Sequence, residues 1–481
     1  MHQLSTSATE SGTERADDLR IGYVGGGSRG WARTLINDLA QCPDLGGTVA
    51  LYDVRPEAAR LNADLGNHVM ARGDVVGDWT FEVHEAMADA LAGADVVVCS
   101  TQDPPEETFV HDLDVPKEYD IHQTVGDTVG PGGVMRSLRS IPQYREIAAT
   151  VREHCPDAWV LNYTNPMTVC TRTLYAEYPD VNAIGLCHEV FKTQELFADI
   201  AERYVDAAED VSREAVDVNV KGINHFTWVD EARWRGHDLY QYLDAELESR
   251  KPLPGFERGA LEGESYWTNN YQVAFDLYRT FGLLGAAGDR HLAEFVPWYL
   301  ADVEDAADIE RWGIRLTPSS ARVPDGEADA AAEVERVLDG EETFELYESG
   351  EEFVDIVRAL VGIEPLKTHL NYLNEGQIPD LERGAVVETN ALVTGDDVSP
   401  VTAGPFPDPV REHVSRAVSN QETLIEAGMT GDLGLAFRAF RNDPLVTLDP
   451  ADARALFADL VERERDYLDA YDVNDAAVLA E

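Results

Sequence analysis

One stretch constrains the fold of this chain more than any other. The apolar run Leu19-Arg20-Ile21-Gly22-Tyr23-Val24 leads directly into Gly25-Gly26-Gly27-Ser28-Arg29-Gly30, and then into apolar positions at helical spacing through Leu35 and Leu39. A strand that passes through a tight glycine turn into a helix opens a βαβ unit and commits the chain to a parallel sheet. A second strand is expected over 48–53, ending on Asp53, with a helix over 56–70. Strand-like runs at 81–83, 96–99, 159–163 and 182–187 alternate with helical patterns. The fold class predicted is therefore α/β, a Rossmann-type doubly wound parallel sheet. From about residue 216 the texture changes to β-type segments at 216–224 and 226–235, then long helices to the C-terminus, the last over 450–471. That predicts an α+β C-terminal domain, the combination found in lactate and malate dehydrogenases.

The glycine spacing Gly25-x-Gly27-x-x-Gly30 has a mechanical reading. The first glycine permits the turn, the second lets backbone approach a pyrophosphate, and the third allows close helix packing, with the helix N-terminus supplying N–H groups to the anion. Asp53, at the end of the second strand, can bind ribose hydroxyls and repel a 2′-phosphate. The alternative is a glycine-rich turn without a ligand. Strand, turn, helix and acid occur in order, so the expected cofactor is NAD, bound by Gly25, Gly27, Ser28, Gly30 and Asp53.

Composition excludes some partners. With 38 Lys+Arg against 90 Asp+Glu the formal charge is −52, which repels a phosphate backbone and argues against nucleic acid. Lysine occurs only at positions 117, 192, 221, 251 and 367, and acid is spread along the whole chain. A cationic partner would explain this, but the preferred reading is a surface kept hydrated in concentrated salt. No apolar run is long enough for a membrane span. The five cysteines form no C-x-x-C pair, and residues 1–20 lack the apolar stretch of a secretory signal, so a reducing, cytoplasmic setting is expected. Residues 302–348, rich in Ala, Asp and Glu, are expected to be the least ordered internal stretch.

Further segments carry reactive residues, two of them at strand ends, where open α/β sheets bind ligands. Gly126-Asp127-Thr128-Val129-Gly130-Pro131-Gly132-Gly133 is a loop dense in small residues, leading to Arg136 and Arg139 on a helix. Asn162-Tyr163-Thr164-Asn165-Pro166 and Gly185-Leu186-Cys187-His188 each leave a strand, and Gly222-Ile223-Asn224-His225 follows later. A thiolate and an imidazole from separate elements could bind a divalent ion and leave positions open for substrate oxygens. Each residue also has a structural alternative: Cys187 as a buried small apolar group, His188 and His225 as hydrogen-bonded structural histidines, Asn165-Pro166 as a turn. Asp289 and His291, in Gly288-Asp289-Arg290-His291, form a fourth polar cluster.

Taken together, from about Ile21 to Pro450, these motifs resemble glycosidase family 4. That family comprises NAD- and metal-dependent enzymes, among them α-galactosidases, α-glucosidases, α-glucuronidases and 6-phospho-glucosidases, and lies outside two-carboxylate glycoside hydrolysis. The resemblance implies Cys187 and His225 as metal ligands, usually for Mn²⁺. It implies Asn165 as a contact to sugar hydroxyls, and Asp127 is placed beside it as a second substrate contact. His188 stands where phospho-sugar members carry a proton-donating aspartate. A histidine there is similar to the α-galactosidase and α-glucosidase branch, whose substrates are not phosphorylated. The family's base falls near Asp289 or His291, with Asp289 preferred.

The reaction so implied is oxidation of sugar C3 by NAD⁺, removal of the acidified C2 proton and elimination of the C1 oxygen, helped by an acid such as His188. An oxidisable thiol ligand also implies a need for reductant. The expected function is hydrolysis of an unphosphorylated α-linked glycoside. The sugar stays open among galactose, glucose and their uronic acids, and Arg136, Arg139 or Arg290 could pair with a uronate. The alternatives are a 2-hydroxy-acid dehydrogenase of the lactate/malate type and a non-catalytic NAD-binding protein. The expected domains are a polar disordered extension over 1–18, an NAD-binding domain over 19–190, and a substrate, metal and oligomerisation domain over 191–481. A homodimer or homotetramer is implied by the resemblance alone.

Overall fold

The structure is a computed structural model and describes residues 7–8, 14–102, 106–205, 210–250, 252–301, 303, 306–321, 327–395 and 397–473. Six strands form a parallel sheet: β1 (Glu14–Val24), β2 (Leu45–Tyr52), β3 (Asp78–His84), β4 (Val96–Cys99), β5 (Trp159–Asn162) and β6 (Asn182–Gly185). They lie side by side in the order β6-β5-β4-β1-β2-β3, every neighbouring pair parallel. β4 and β5 are buried at every residue, because helices cover both faces; that is why they read as unbroken apolar runs. The strand order reverses between β1 and β4, and the turns that leave these two strands stand at the position where doubly wound sheets bind ligands.

The start of the sheet differs from expectation. β1 begins at Glu14, with Ala16 opposite Leu45 and an irregularity before Leu19, where Asp18 takes φ +67°. Residues 14–18 of the anticipated disordered extension are therefore strand. The rest of that extension, apart from a short pairing of Ser7–Ala8 with β1, lies outside the described residues.

A larger difference lies in the second half. Beyond β6 the sheet continues antiparallel through β7 (Asp217–Ile223), β8 (Phe226–Trp234), β9 (Leu366–Leu373) and β10 (Val386–Thr394), in the order β8-β7-β10-β9-β6. Helices alone were expected where β9 and β10 lie. These strands bury polar side chains, Thr368, His369 and Asn371 on one and Glu388, Thr389 and Asn390 on the other, which hides the apolar period that marks a strand. A row of paired residues, Gly185–Asn371–Glu388–Gly222, ties the end of β6 to the end of β7 across the two unexpected strands.

Five helices position the site: α1 (Trp31–Ala40), α2 (Gly130–His154), α3 (Gln272–Phe281), α4 (Asp289–Phe295) and α5 (Asp408–Thr430). Of the stretch 302–348, a helix over Glu327–Leu338 buries Val334 and Val337, and 302, 304–305 and 322–326 lie outside the described residues. The last helix, Pro450–Arg463, stops short of the expected residue 471; Asp449 caps its start by accepting from the Ala451 and Asp452 N–H groups. Among the described residues no helix is long and apolar enough to cross a membrane. All five cysteines are free thiols.

Candidate active site

The glycine turn after β1 is shaped by contacts that exclude side chains. Gly25 takes φ +89°, and a Cβ there would stand 2.2 Å from the Ser100 carbonyl oxygen. A Cβ on Gly27 would meet Ala58 Cβ at 2.7 Å and the Asp53 carboxylate at 2.8 Å. Gly30 departs from the expected role of close packing, since nothing lies within 4 Å of where its Cβ would be. The helix-side contact is at Gly27, against Ala58, while a Cβ on Gly26 would stand 2.7 Å from Leu51 of β2. Gly30 precedes α1, whose first turn has neither a side-chain cap nor an acid, so its leading N–H groups are open to an anion. The Ser28 N–H closes the turn onto the Gly25 carbonyl at 3.0 Å.

Asp53 holds this turn as well as facing it. Its Oδ2 accepts from the Gly27 N–H and its Oδ1 from the Arg55 N–H, each at 2.9 Å. Asn62, which sequence reading missed, donates to the Gly26 and Ser28 carbonyls at 2.9 and 3.0 Å. A buried asparagine on the apolar face of the 56–70 helix was the available signal.

A second group draws on three distant segments. Ligand atoms of Asp127, His225 and His291 all lie within 4.8 Å of one another. Asp127 comes from the small-residue loop before α2, and His291 from the first turn of α4. His225 sits in the two-residue turn between β7 and β8 at φ +65°, an uncommon conformation for a non-glycine residue. The two imidazoles stack with centroids 3.6 Å apart. Thr128, also missed from sequence, organises the group: its hydroxyl donates to Asp127 Oδ1 at 2.8 Å and lies 2.9 Å from His225 Nδ1. A hydroxyl that gives its only proton to a carboxylate is left to accept from Nδ1–H, so the lone pair of His225 falls on Nε2. Burial, reinforced by His291, pushes His225 down to about 3, so the ring is neutral and able to ligate. Two neutral-capable imidazoles and a carboxylate, mostly buried, suit a divalent ion.

The other predicted residues separate. Cys187 is not among the atoms of that cluster, and burial together with Glu388 and Glu189 holds its pKa well above the ordinary thiol value. Asn165 does join Asp127, through Nδ2 to Oδ2 at 3.4 Å, and its buried Oδ1 has no partner among the described residues. His188 Nδ1 lies 3.1 Å from Glu351 Oε1, a bond that raises the histidine pKa and favours the protonated ring. Glu351 sits far along the chain, outside every motif.

Asp289 requires a correction. Its Oδ2 accepts from the Gln272 N–H at 2.6 Å and its Oδ1 from the Ala274 N–H at 2.9 Å, so both oxygens serve the start of α3. A carboxyl 1% exposed and committed to backbone is a helix cap rather than a base facing a sugar. Two of the three arginines considered for a uronate are also committed. Arg139 forms a buried ion pair with Asp112 and Glu464, and Arg290 bonds the Thr124 carbonyl and Thr317. Arg136 donates from Nε to the Asn165 carbonyl at 2.8 Å, against the substrate-facing loop.

Comparison with known proteins decides the family. Residues 20–203 match the model of the family 4 glycosyl hydrolases, and residues 220–446 match the C-terminal domain of the same family. This chain is a family 4 glycosyl hydrolase. Its class is therefore glycosidase, rather than 2-hydroxy-acid dehydrogenase or non-catalytic nucleotide binder. An α-galacturonidase of Thermoanaerobacterium saccharolyticum is 45% identical over 95% of this chain and 98% of its own length. An α-galacturonidase of Bacillus subtilis is 44% identical over 93% of this chain and 97% of its own. The α-galactosidase of Bacillus subtilis is 28% identical over 94% of this chain and 99% of its own, so the α-galactosidase branch suggested by His188 is the more distant.

Solved structures agree on the family 4 fold. The crystal structure of lplD from Bacillus subtilis superposes with TM-score 0.84 at 43% identity, covering 92% of this chain and 100% of that one. A 6-phospho-α-glucosidase from gut microorganisms, solved with NAD and Mn²⁺, shares the fold at TM-score 0.77 and 19% identity over 94% of this chain and 99% of its own.

Proposed function

We propose that this family 4 enzyme hydrolyses α-linked galacturonides, using NAD and a divalent metal such as Mn²⁺. The observation that carries the reading is 45% identity to an α-galacturonidase along nearly the whole of both chains. The residues present suit both groups. The unfilled space at Gly30 and the uncapped start of α1 suit a pyrophosphate, and Asp53 suits an unphosphorylated ribose. Asp127, His225 and His291 offer converging oxygen and nitrogen donors to a metal, with Cys187 as the further ligand suggested by the family resemblance. When bound, NAD supplies reversible oxidation at C3 and the metal polarises the C2 and C3 oxygens.

The chain's own residues supply the acid and the contacts to the sugar. His188, held protonated by Glu351, gives its proton to the departing C1 oxygen. The open Oδ1 of Asn165 accepts from a sugar hydroxyl, and Thr128 keeps the His225 ring in one tautomer. Arg136, beside Asn165, pairs with the sugar carboxylate. Asp289 moves no proton in this scheme. We further infer a homodimer or homotetramer, a reducing cytoplasmic setting consistent with five free thiols, and activity in concentrated salt given a charge of −52.

The test is a panel of p-nitrophenyl α-glycosides assayed with NAD⁺, Mn²⁺ and reductant. The galacturonide is expected to be cleaved in preference to the galactoside and glucoside, with no net NADH, and activity should vanish with EDTA or without NAD⁺. Preference for an uncharged sugar would overturn the substrate, and hydrolysis indifferent to NAD⁺ and metal would overturn the chemistry.

A further inference from the structure

A cavity of about 150 Å³ is walled by residues 128–129, beside the metal-capable cluster, by the segment after α4 and by one face of α5. A site for one water needs roughly 10–15 Å³ on this measure, so the space holds on the order of ten waters, or one sugar ring. Thr128, which bonds Asp127 and His225, forms part of its wall, so the cavity is one residue removed from the site where the glycosidic bond is handled.

Three of its side chains present ligand-binding chemistry that the reaction above does not use. Gln421, on α5, is 3% exposed, and neither its Oε1 nor its Nε2 has a hydrogen-bond partner among the described residues. A buried primary amide left unbonded is costly at both atoms, and such groups in native proteins are normally met by solvent or ligand. Arg416, five residues earlier on α5 and exposed, also lines the cavity and uses Nε on the Asn442 carbonyl at 2.8 Å. Among the described residues its terminal nitrogens have no ion-pair partner, although acids outnumber bases by 90 to 38. The acid beside it, Asp443, has its oxygens turned to the Gly130 and Leu445 N–H groups, each at 2.9 Å. Trp298 stands 46% exposed at the cavity, braced edge-on by His413 with ring centroids 5.5 Å apart. An aromatic face, an amide with donor and acceptor both open, and a guanidinium are the groups that stack on a pyranose, bond its hydroxyls and pair with its carboxylate.

We propose that this cavity binds a second uronate residue, with Trp298 against the ring, Gln421 on its hydroxyls and Arg416 on its carboxylate. The inference rests on the galacturonide reading of the catalytic site. Two sources share this chemistry: the sugar on the leaving-group side of an oligogalacturonide, and free galacturonate.

The experiment uses full-length enzyme with NAD⁺ and Mn²⁺, and compares wild type with Arg416→Ala and Gln421→Leu. Loss of a charged hydrogen-bond partner should raise KM for digalacturonate about tenfold in Arg416→Ala while leaving p-nitrophenyl α-galacturonide within about twofold. That split assigns the site to the leaving-group sugar. If instead calorimetry finds a galacturonate site that Arg416→Ala abolishes and Asn165→Ala retains, with both substrates unchanged, the free acid is the ligand. Gln421→Leu guards against misfolding, since an apolar side chain there raises Tm if it folds well. A raised Tm with both substrates and galacturonate binding as in wild type would overturn the proposal. So would unchanged kinetics and calorimetry in Arg416→Ala. Failure of wild type to cleave any galacturonide refutes the activity reading instead, and calorimetry then judges the cavity alone.

Discussion

The glycine turn after β1 and the Asp127–His225–His291 cluster are each suited to a ligand, and by opposite means. The turn works through backbone: Gly25 and Gly27 matter because they carry no side chain, and Asp53 and Asn62 support them from the next βα unit. The cluster works through side chains brought from three elements, and its geometry depends on a hydroxyl, Thr128, that links two of them. A backbone site tolerates change around it but not within it. A side-chain site fails when any one contributor is removed, while the fold beneath it survives.

The sharpest break between the two is a pair of substitutions. His225→Ala should lower kcat/KM by on the order of 10³-fold, because the metal's several kcal/mol of charge stabilisation goes with its ligand, yet leave NAD⁺ affinity unchanged. Asp53→Ala should do the reverse, weakening NAD⁺ about tenfold in a binding titration while bound manganese, measured by elemental analysis, stays at the wild-type level. If His225→Ala also abolished NAD⁺ binding, the two sites would be one cooperative unit and the contrast would be wrong.

Asp289 gives a smaller but more pointed effect. Asp289→Asn keeps one of the two accepted bonds and so should hold kcat within a few-fold at some loss of stability, whereas Asp289→Ala, which loses both, should cost about 1–2 kcal/mol or more in denaturant unfolding. A general base would behave differently, with kcat in Asp289→Asn falling about 10²–10⁴-fold. That outcome would return Asp289 to the side-chain site from which its two backbone bonds remove it.

The same contrast explains what could be read from sequence. The nucleotide half was legible because its logic is local: strand, glycines, helix and acid succeed one another within about two βα units. Only the role of Gly30 was misjudged, since packing distance is not a local property. The cluster was legible in part. His225 was expected as a metal ligand with Cys187, and Asp127 as a substrate contact rather than a member of the cluster, while Thr128 looked like one more small residue in a glycine-rich loop and Glu351 had no motif around it. Asp289 misled because an acid beside a histidine reads the same whether it faces a sugar or a helix N-terminus. β9 and β10 were hidden by polar residues in buried positions, and with them the row of pairs that connects the end of β6 to the end of β7.

The smallest effect lies at the seam between the regions. Asp38, on α1, accepts from Ser349 at 2.9 Å and from Asn37 at 2.8 Å, so the helix behind the glycine turn is tied to the segment that carries Glu351. Burial, with Glu351 and Asp355 nearby, raises Asp38 to about 6. Because the folded value lies above the unfolded one near 4, the folded state holds this proton more tightly. Stability from this group is thus complete below about pH 4, declines as pH rises to about 6, and is constant above. Asp38→Asn does not titrate, and its amide can still accept from one neighbour and donate to Ser349. The Tm of the variant relative to wild type should therefore climb by about 1 °C or more between pH 4 and 6 and then level off. A difference that stayed flat across that window would mean the seam is wet, and that the two regions are joined there by solvent rather than by a buried carboxyl.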